Sequence, residues 1–156
     1  MTPRVLYVHA QINRITVQGM PLFEKLRPED VDEVLRTASS RRYAAGDRVF
    51  EQGPAADQFF VLLHGRLRVT QITSEGQQVV VRMVNPGDLF GIAKALRRPD
   101  YPGTATAVSE SVVLAWSMGL WDEFLEHYPS LAVNAIQTMG ARLLEAQQRV
   151  RELSTE

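Results

Sequence analysis

Three pieces of the chain decide its fold: Tyr43-Ala44-Ala45-Gly46-Asp47-Arg48-Val49-Phe50-Glu51-Gln52-Gly53, then Phe59-Phe60-Val61-Leu62-Leu63-His64-Gly65-Arg66-Leu67-Arg68-Val69, then Asn85-Pro86-Gly87-Asp88-Leu89-Phe90-Gly91. Each is a short apolar or aromatic run, and glycines punctuate all three. Strand-length runs bounded by Gly, Asp, Asn and Pro at short intervals predict an antiparallel sandwich or barrel. The unbroken run Phe59-Phe60-Val61-Leu62-Leu63 predicts a buried strand. Ser74-Glu75-Gly76 predicts a polar turn joining residues 67–72 to 77–84, and so a hairpin that projects from the barrel. Residues 104–108 and 112–117 alternate again and read as the last two strands.

Outside this region the pattern turns helical. Pro28 followed by Glu29 and Asp30 suits a helix start. Val31, Val34 and Leu35 supply its apolar face, with an end expected near Ser39-Ser40. Residues 1–18 hold Ile12, Ile15 and Val17 in no single period and read as a partly ordered arm. After Gly91, Ile92-Ala93-Lys94-Ala95-Leu96 predicts one helical turn. Arg97-Arg98-Pro99-Asp100-Tyr101-Pro102-Gly103 excludes regular structure by its prolines and glycine. A short helix over 120–127 is expected to end before Pro129.

From Pro129 onward a single helix is predicted. Ile136, Met139, Leu143, Ala146, Val150 and Leu153 alternate three- and four-residue steps, which is a heptad seam. A helix this long exceeds what a small barrel needs for its own core. The flanking Arg142, Gln147 and Arg149 do not select an oppositely charged partner, so the simple reading is a homodimer through this helix. Gly140 lies beside the seam, where it would let two backbones approach. Leu144 lies off the seam and is expected to pack on the helix's own barrel. The plain alternative is an amphipathic helix folded back on one barrel. The seam reaches Leu153 without a cap, as though a further segment follows.

With 156 residues the chain suits one domain with a core of its own. A hydrophobic share of 45% and a charged share of 22% are those of an ordinary globular protein. The net charge of −1 gives no field favouring nucleic acid or an acidic membrane surface. There is no cysteine, which removes disulfides, thiolate nucleophiles, Cys-ligated zinc and Cys-held iron–sulfur clusters. No apolar run approaches a membrane span, and the N-terminus lacks the long apolar core of a signal peptide. A cytoplasmic protein without membrane contact is expected.

The order Pro21-Leu22-Phe23, Tyr43-x-x-Gly46-Asp47, Gly53, Phe60-x-Leu62-x-x-Gly65, Gly87-Asp88-Leu89-Phe90-Gly91, a strand ending in Ala107, then Phe124-Leu125 and Pro129 before a long helix resembles the sensor domain of bacterial Crp/Fnr transcription regulators. The resemblance covers roughly residues 20–156. It implies a mainly β fold with flanking helices: a double-stranded β-helix, or jelly roll, of the cyclic-nucleotide-binding type, plus a long C-terminal dimerisation helix. The implied organisation is an arm at 1–18, a β-roll sensor at 19–128 and a dimerisation helix at 129–156. Family members read DNA through a helix-turn-helix domain after this helix. DNA contact is therefore expected only through a domain beyond residue 156.

The resemblance also places an effector pocket at Phe90, Gly91, Ile92, Ala93, Tyr101, Thr104 and Thr106. Relatives that bind cyclic AMP open this segment with Gly-Glu, whose carboxylate holds the ribose, and close it with an Arg on the phosphate. Here Gly91 keeps the glycine, Ile92 stands at the Glu position and Tyr101 falls near the Arg position. The helix positions that meet adenine in those relatives correspond to about Ala146 and Gln147. Each missing charge-assisted contact is worth about 1.5–3 kcal/mol, so cyclic AMP is not the expected effector. Lys94, Arg97 or Arg98 could serve a different anion, although a solvated loop explains them as well.

Other members of the family sense gases or redox state. Haem needs an axial ligand such as His, and His9, His64 and His127 are not paired at metal-ligand spacing. The run Tyr101-Pro102-Gly103-Thr104-Ala105-Thr106-Ala107 resembles the nitrogen-oxide-responsive branch, which keeps a haem-based sensor as an alternative to the main reading. A free-standing small-ligand-binding domain is another. No enzyme is expected: there is no Gly-x-Ser-x-Gly, no His-Glu-x-x-His and no phosphate loop with Lys. Asp47 and Asp88 adjoin turn glycines and read as turn residues. Trp116 and Trp121 read as core.

Overall fold

A computed structural model describes residues 12–154 and the backbone of Leu6–Tyr7, with side chains described over 12–152. Most of the predicted arm, His9 among it, lies outside the described residues. The strands are β1 (Leu6–Tyr7), β2 (Ser39–Tyr43), β3 (Arg48–Phe50), β4 (Gln58–His64), β5 (Leu67–Ile72), β6 (Gln78–Val84), β7 (Leu89–Phe90), β8 (Thr104–Ala107) and β9 (Ser111–Ser117). They form two antiparallel sheets, ordered β1-β2-β9-β4-β7 and β3-β8-β5-β6. The helices are α1 (Arg14–Val17), α2 (Pro28–Arg36), α3 (Leu120–His127) and α4 (Pro129–Ser154), with 3-10 turns at Pro21–Phe23 and Ala93–Leu96. This is the antiparallel roll that the glycine spacing predicts, in the jelly-roll form with flanking helices that the resemblance implies.

Two cores explain the unbroken apolar run of β4. Successive residues of a strand point to opposite faces. Phe60 and Leu62 join Tyr43, Leu67, Phe90, Tyr101 and Val113 between the two sheets. Phe59 and Val61 point the other way, into a layer with Val34, Leu89, Leu114, Trp116, Trp121 and Phe124 under the helices. With one face on the opposite sheet and the other on helices, β4 has no solvent side and so no polar alternation. β9 behaves alike: Val113 and Ala115 enter the roll, while Leu114 and Trp116 face the helices.

Trp116 is the hinge of the helical layer. Its ring stacks on Phe59 at 5.4 Å, and its indole N–H donates to the Val34 carbonyl at 2.8 Å, so the sheet is joined to the end of α2. That donor is buried and needs its partner. Helix α2 stops at Arg36, three residues before the expected end. Ser39 and Ser40 instead begin β2, which pairs with β9 (Ser39↔Ala115). The ladder offered by β9 outweighs helix continuation there. Val17, 1% exposed, closes the helical layer from the N-terminal side.

The hairpin β5–β6 projects with apolar side chains exposed, Ile72, Val79 and Val80 among them. Asp47 and Asp88 act as turn residues, each carboxylate accepting from a backbone N–H three residues earlier at 2.9 Å, those of Ala44 and Asn85. Gly65 cannot be replaced without rearrangement: at φ +96° a Cβ would lie 2.3 Å from Ser111 Oγ. Among the described residues no helix is long and apolar enough to cross a membrane.

Candidate functional site

The chain leaves the roll at Gly91, turns through Ala93–Leu96 and re-enters at β8. Gly91 sits at φ +72°, and a Cβ there would lie 2.8 Å from the Phe60 ring and 3.2 Å from Phe50. The glycine lets the backbone pass flat over stacked rings: Phe60 on Phe90 at 5.1 Å, and Phe50 on Tyr101 at 4.1 Å. Beneath α4 this segment opens a cavity of about 350 Å³. Its walls are Phe50, Val69, Gln71, Val81 and Arg82 from the strands, Phe90–Ala93 and Leu96 from the turn, Pro102 and Gly103 from the loop, and Met139 and Arg142 from α4. Size and mainly apolar lining fit a small-molecule site.

A second, more polar cleft of about 640 Å³ runs beside it along α4. The two share Val81, Arg82 and Arg142. These arginines come from opposite sides, Arg82 from β6 and Arg142 from α4. Both donate to one acceptor, the Leu89 carbonyl, at 2.8 Å and 2.5 Å. The Arg82 Nε is buried without a hydrogen-bond partner. Burial first, then the charge of Arg142, push the Arg82 guanidinium down to about 9, against the pull of Asp88 and Glu145. Burial also lowers Arg142. Both remain cations at neutral pH.

Of the residues singled out from the sequence, Phe90, Gly91, Ile92 and Ala93 line the smaller cavity. Tyr101, Thr104 and Thr106 do not. Tyr101 is 4% exposed inside the roll, its hydroxyl donating to the Gln58 carbonyl at 2.7 Å and accepting from the Gln58 N–H at 3.1 Å. Burial raises its phenol to about 12. Thr104 Oγ1 accepts from the Gln52 N–H at 2.9 Å, and Thr106 is half-buried in β8. Lys94 pairs with Asp122 at 2.8 Å, while Arg97 and Arg98 are exposed. None of these three cations lines the cavity. His64 and His127 are exposed and line neither cavity, so the described lining offers no axial histidine for a haem.

On α4, Met139 faces the smaller cavity and Ala146 the larger. Ile136, Leu143 and Val150 are 65%, 61% and 66% exposed. Val133 and Leu144 are exposed beside them, and Gly140 has open space at its Cβ position. The Leu153 side chain lies outside the described residues. Leu144, expected against the roll, points away from it, because Arg142 and Met139 occupy the inward face. Asn134, buried on α4, donates to the carbonyls of Leu22 at 2.9 Å and Glu24 at 2.6 Å.

Sequence reasoning overlooked Arg82 and gave Arg142 only a flanking role. No motif marks either. The available signal was an Arg within the strand run 78–84 and another one turn from the heptad positions facing the roll.

Residues 40–128 match the cyclic nucleotide-binding domain. The chain is 29% identical over 140 residues to the cyclic AMP receptor protein of Thermus thermophilus, covering 90% of this chain but 65% of that one. The crystal structure of the Thermus thermophilus catabolite activator protein superposes with a TM-score of 0.72 at 29% identity, over 86% of this chain and 63% of that one. The sensor domain of the transcriptional regulator DNR from Pseudomonas aeruginosa superposes with a TM-score of 0.71 at 28% identity, over 89% of this chain and 91% of that one. The glycine-turned roll and the match over 40–128 make this chain a member of the cyclic nucleotide-binding domain family, close to the Crp/Fnr-type regulators.

Proposed function

We propose that this chain is the effector-sensing and dimerisation unit of a Crp/Fnr-type transcription regulator, with an effector other than cyclic AMP. The observation that carries this is the shared wall of the 350 Å³ cavity: strands and turn supply one side, Met139 and Arg142 of α4 the other. A ligand there touches the roll and the helix at once. Alongside Met139 and Arg142, α4 carries the exposed stripe Ile136, Leu143 and Val150, which suits pairing with a second copy of itself. In this reading, residues 1–18 form an arm, 19–128 the sensor and 129–156 the pairing helix. DNA is contacted by a further domain in the full-length regulator.

The case against cyclic AMP rests on two positions. Ile92, 7% exposed, puts an apolar side chain where relatives that bind the nucleotide hold the ribose with a carboxylate. Tyr101 spends its hydroxyl on the Gln58 backbone inside the roll and does not reach the cavity. The protein acts by binding and changing shape, not by catalysis. Calorimetric titration with cyclic AMP and cyclic GMP tests the reading. No heat at micromolar nucleotide is expected, and micromolar binding of either would overturn it.

A further inference from the structure

The two arginines have no role in the fold that needs both. Arg14, Arg27, Arg42, Arg48 and Lys94, all at the surface, each have a carboxylate within 3.4 Å. Arg82 and Arg142 are the more buried cations, yet among the described residues neither is ion-paired. They share a single neutral carbonyl, and the Arg82 Nε has no partner. Two guanidiniums converging in a partly desolvated place repel each other; Asp88 and Glu145 act on them without a direct ion pair, and a shared neutral oxygen adds little to offset the repulsion. What neutralises such a pair is an anion that accepts from both planar forks.

We propose that Arg82 and Arg142 bind the anionic head, carboxylate or phosphate, of a small effector whose apolar body fills the 350 Å³ cavity. This rests on the reading of that cavity as the effector site. The choice of cavity follows from charge. The larger cleft sets Glu24, Asp88 and Glu145 against Arg82, Arg142 and Arg149, so its formal charges already balance and leave no net pull on an anion. The smaller one carries no carboxylate, and Gln71 is its only uncharged polar side chain. A molecule with one anionic group and an aromatic or branched body matches it.

The probes are 1-naphthoate, its neutral counterpart 1-naphthamide, and phenyl phosphate, titrated by calorimetry into the whole chain and into R82M, R142M and the surface control R98M. Two charge-assisted hydrogen bonds correspond to about tenfold or more in affinity, so naphthoate should bind at least that much tighter than naphthamide. R82M and R142M should each lose that preference, and R98M should keep it. R142K, which retains charge without the fork, should fall between. Equal affinity for acid and amide, no binding of either anion at millimolar concentration, or undiminished naphthoate binding by R82M and R142M would overturn the assignment. If the arginines only pin α4 to the Leu89 carbonyl, both variants melt lower and the acid-to-amide ratio stays unchanged, which also overturns it. Naphthamide binding as tightly as naphthoate leaves the effector pocket standing and removes only the anion site. Tight cyclic AMP binding abolished in R142M does the reverse: it sustains the anion site and overturns the non-nucleotide reading.

Discussion

Replacing Gly91 with alanine tests the geometry on which the cavity depends. The new Cβ carries two separate costs. One is conformational: φ +72° is a left-handed backbone, which costs an L-residue about 1–2 kcal/mol. The other is steric: the Cβ would lie 2.8 Å from Phe60 and 3.2 Å from Phe50, inside a stack of rings that has little room to move. Overpacking of this kind costs about 1–3 kcal/mol. The expected loss for G91A is therefore about 2–5 kcal/mol. Gly76 separates the two terms. It has φ +84° at the hairpin tip and nothing within 4 Å of its Cβ position, so G76A bears only the backbone cost. Urea unfolding of both variants, fitted with a shared slope, reads the difference. G91A should lie at least about 1 kcal/mol below G76A. Equal stability would refute the claim that Phe50 and Phe60 hold the Gly91 backbone in place.

L143E puts a charge on the exposed apolar stripe of α4 and should convert dimers to monomers on a sizing column, while thermal unfolding of the monomer stays cooperative. An unchanged elution volume would count against pairing through this face. N134A strips the Leu22 and Glu24 carbonyls of their buried donor, a loss of about 2–3 kcal/mol by denaturant unfolding; a loss below about 0.5 kcal/mol would mean water serves both carbonyls equally well. Y101F concerns alkaline stability. The Tyr101 phenol is raised to about 12 in the fold from its ordinary value of 10.0, so the folded state holds its proton longer than the unfolded one. Its contribution is complete below pH 10 and is lost as pH rises toward 12. Melting temperatures followed across that window should fall less steeply for Y101F than for the parent, and parallel curves would remove Tyr101 as the cause.

The roll was legible because its punctuation is local. Glycine and proline impose turns whatever surrounds them, and the strands between them have few alternatives. The limits of α2 were less so: Ser39 and Ser40 become strand because β9, about 75 residues later, offers them a ladder, and no local preference records that. The pocket divides the same way. The Phe90–Ala93 stretch was readable as a contiguous segment. Arg82 and Arg142 are 60 positions apart on different elements, and only the packing of α4 over β6 and β7 brings both to the Leu89 carbonyl. Tyr101 shows the converse. Its place in the chain suggested the pocket, but a large ring beside Phe50 gains more by stacking inside the roll.

How a ligand could move α4 follows from what holds that helix down. Leu131 and Ala135 are buried against the body, Asn134 binds two carbonyls, and Met139 and Arg142 cover the cavity. Beyond Arg142 no described residue of α4 is buried. Arg142 is thus a directional tether between roll and helix, and its acceptor, the Leu89 carbonyl, lies two residues before the Gly91 turn. A ligand changes the balance between two helix positions only by its difference in affinity for them. A group that accepts from Arg142 in one position and not in the other supplies that difference at the point where the helix leaves its own roll. The stripe of Ile136, Leu143 and Val150 spans this point, so in the proposed dimer a tilt begun at Arg142 would alter the register in which two such stripes meet.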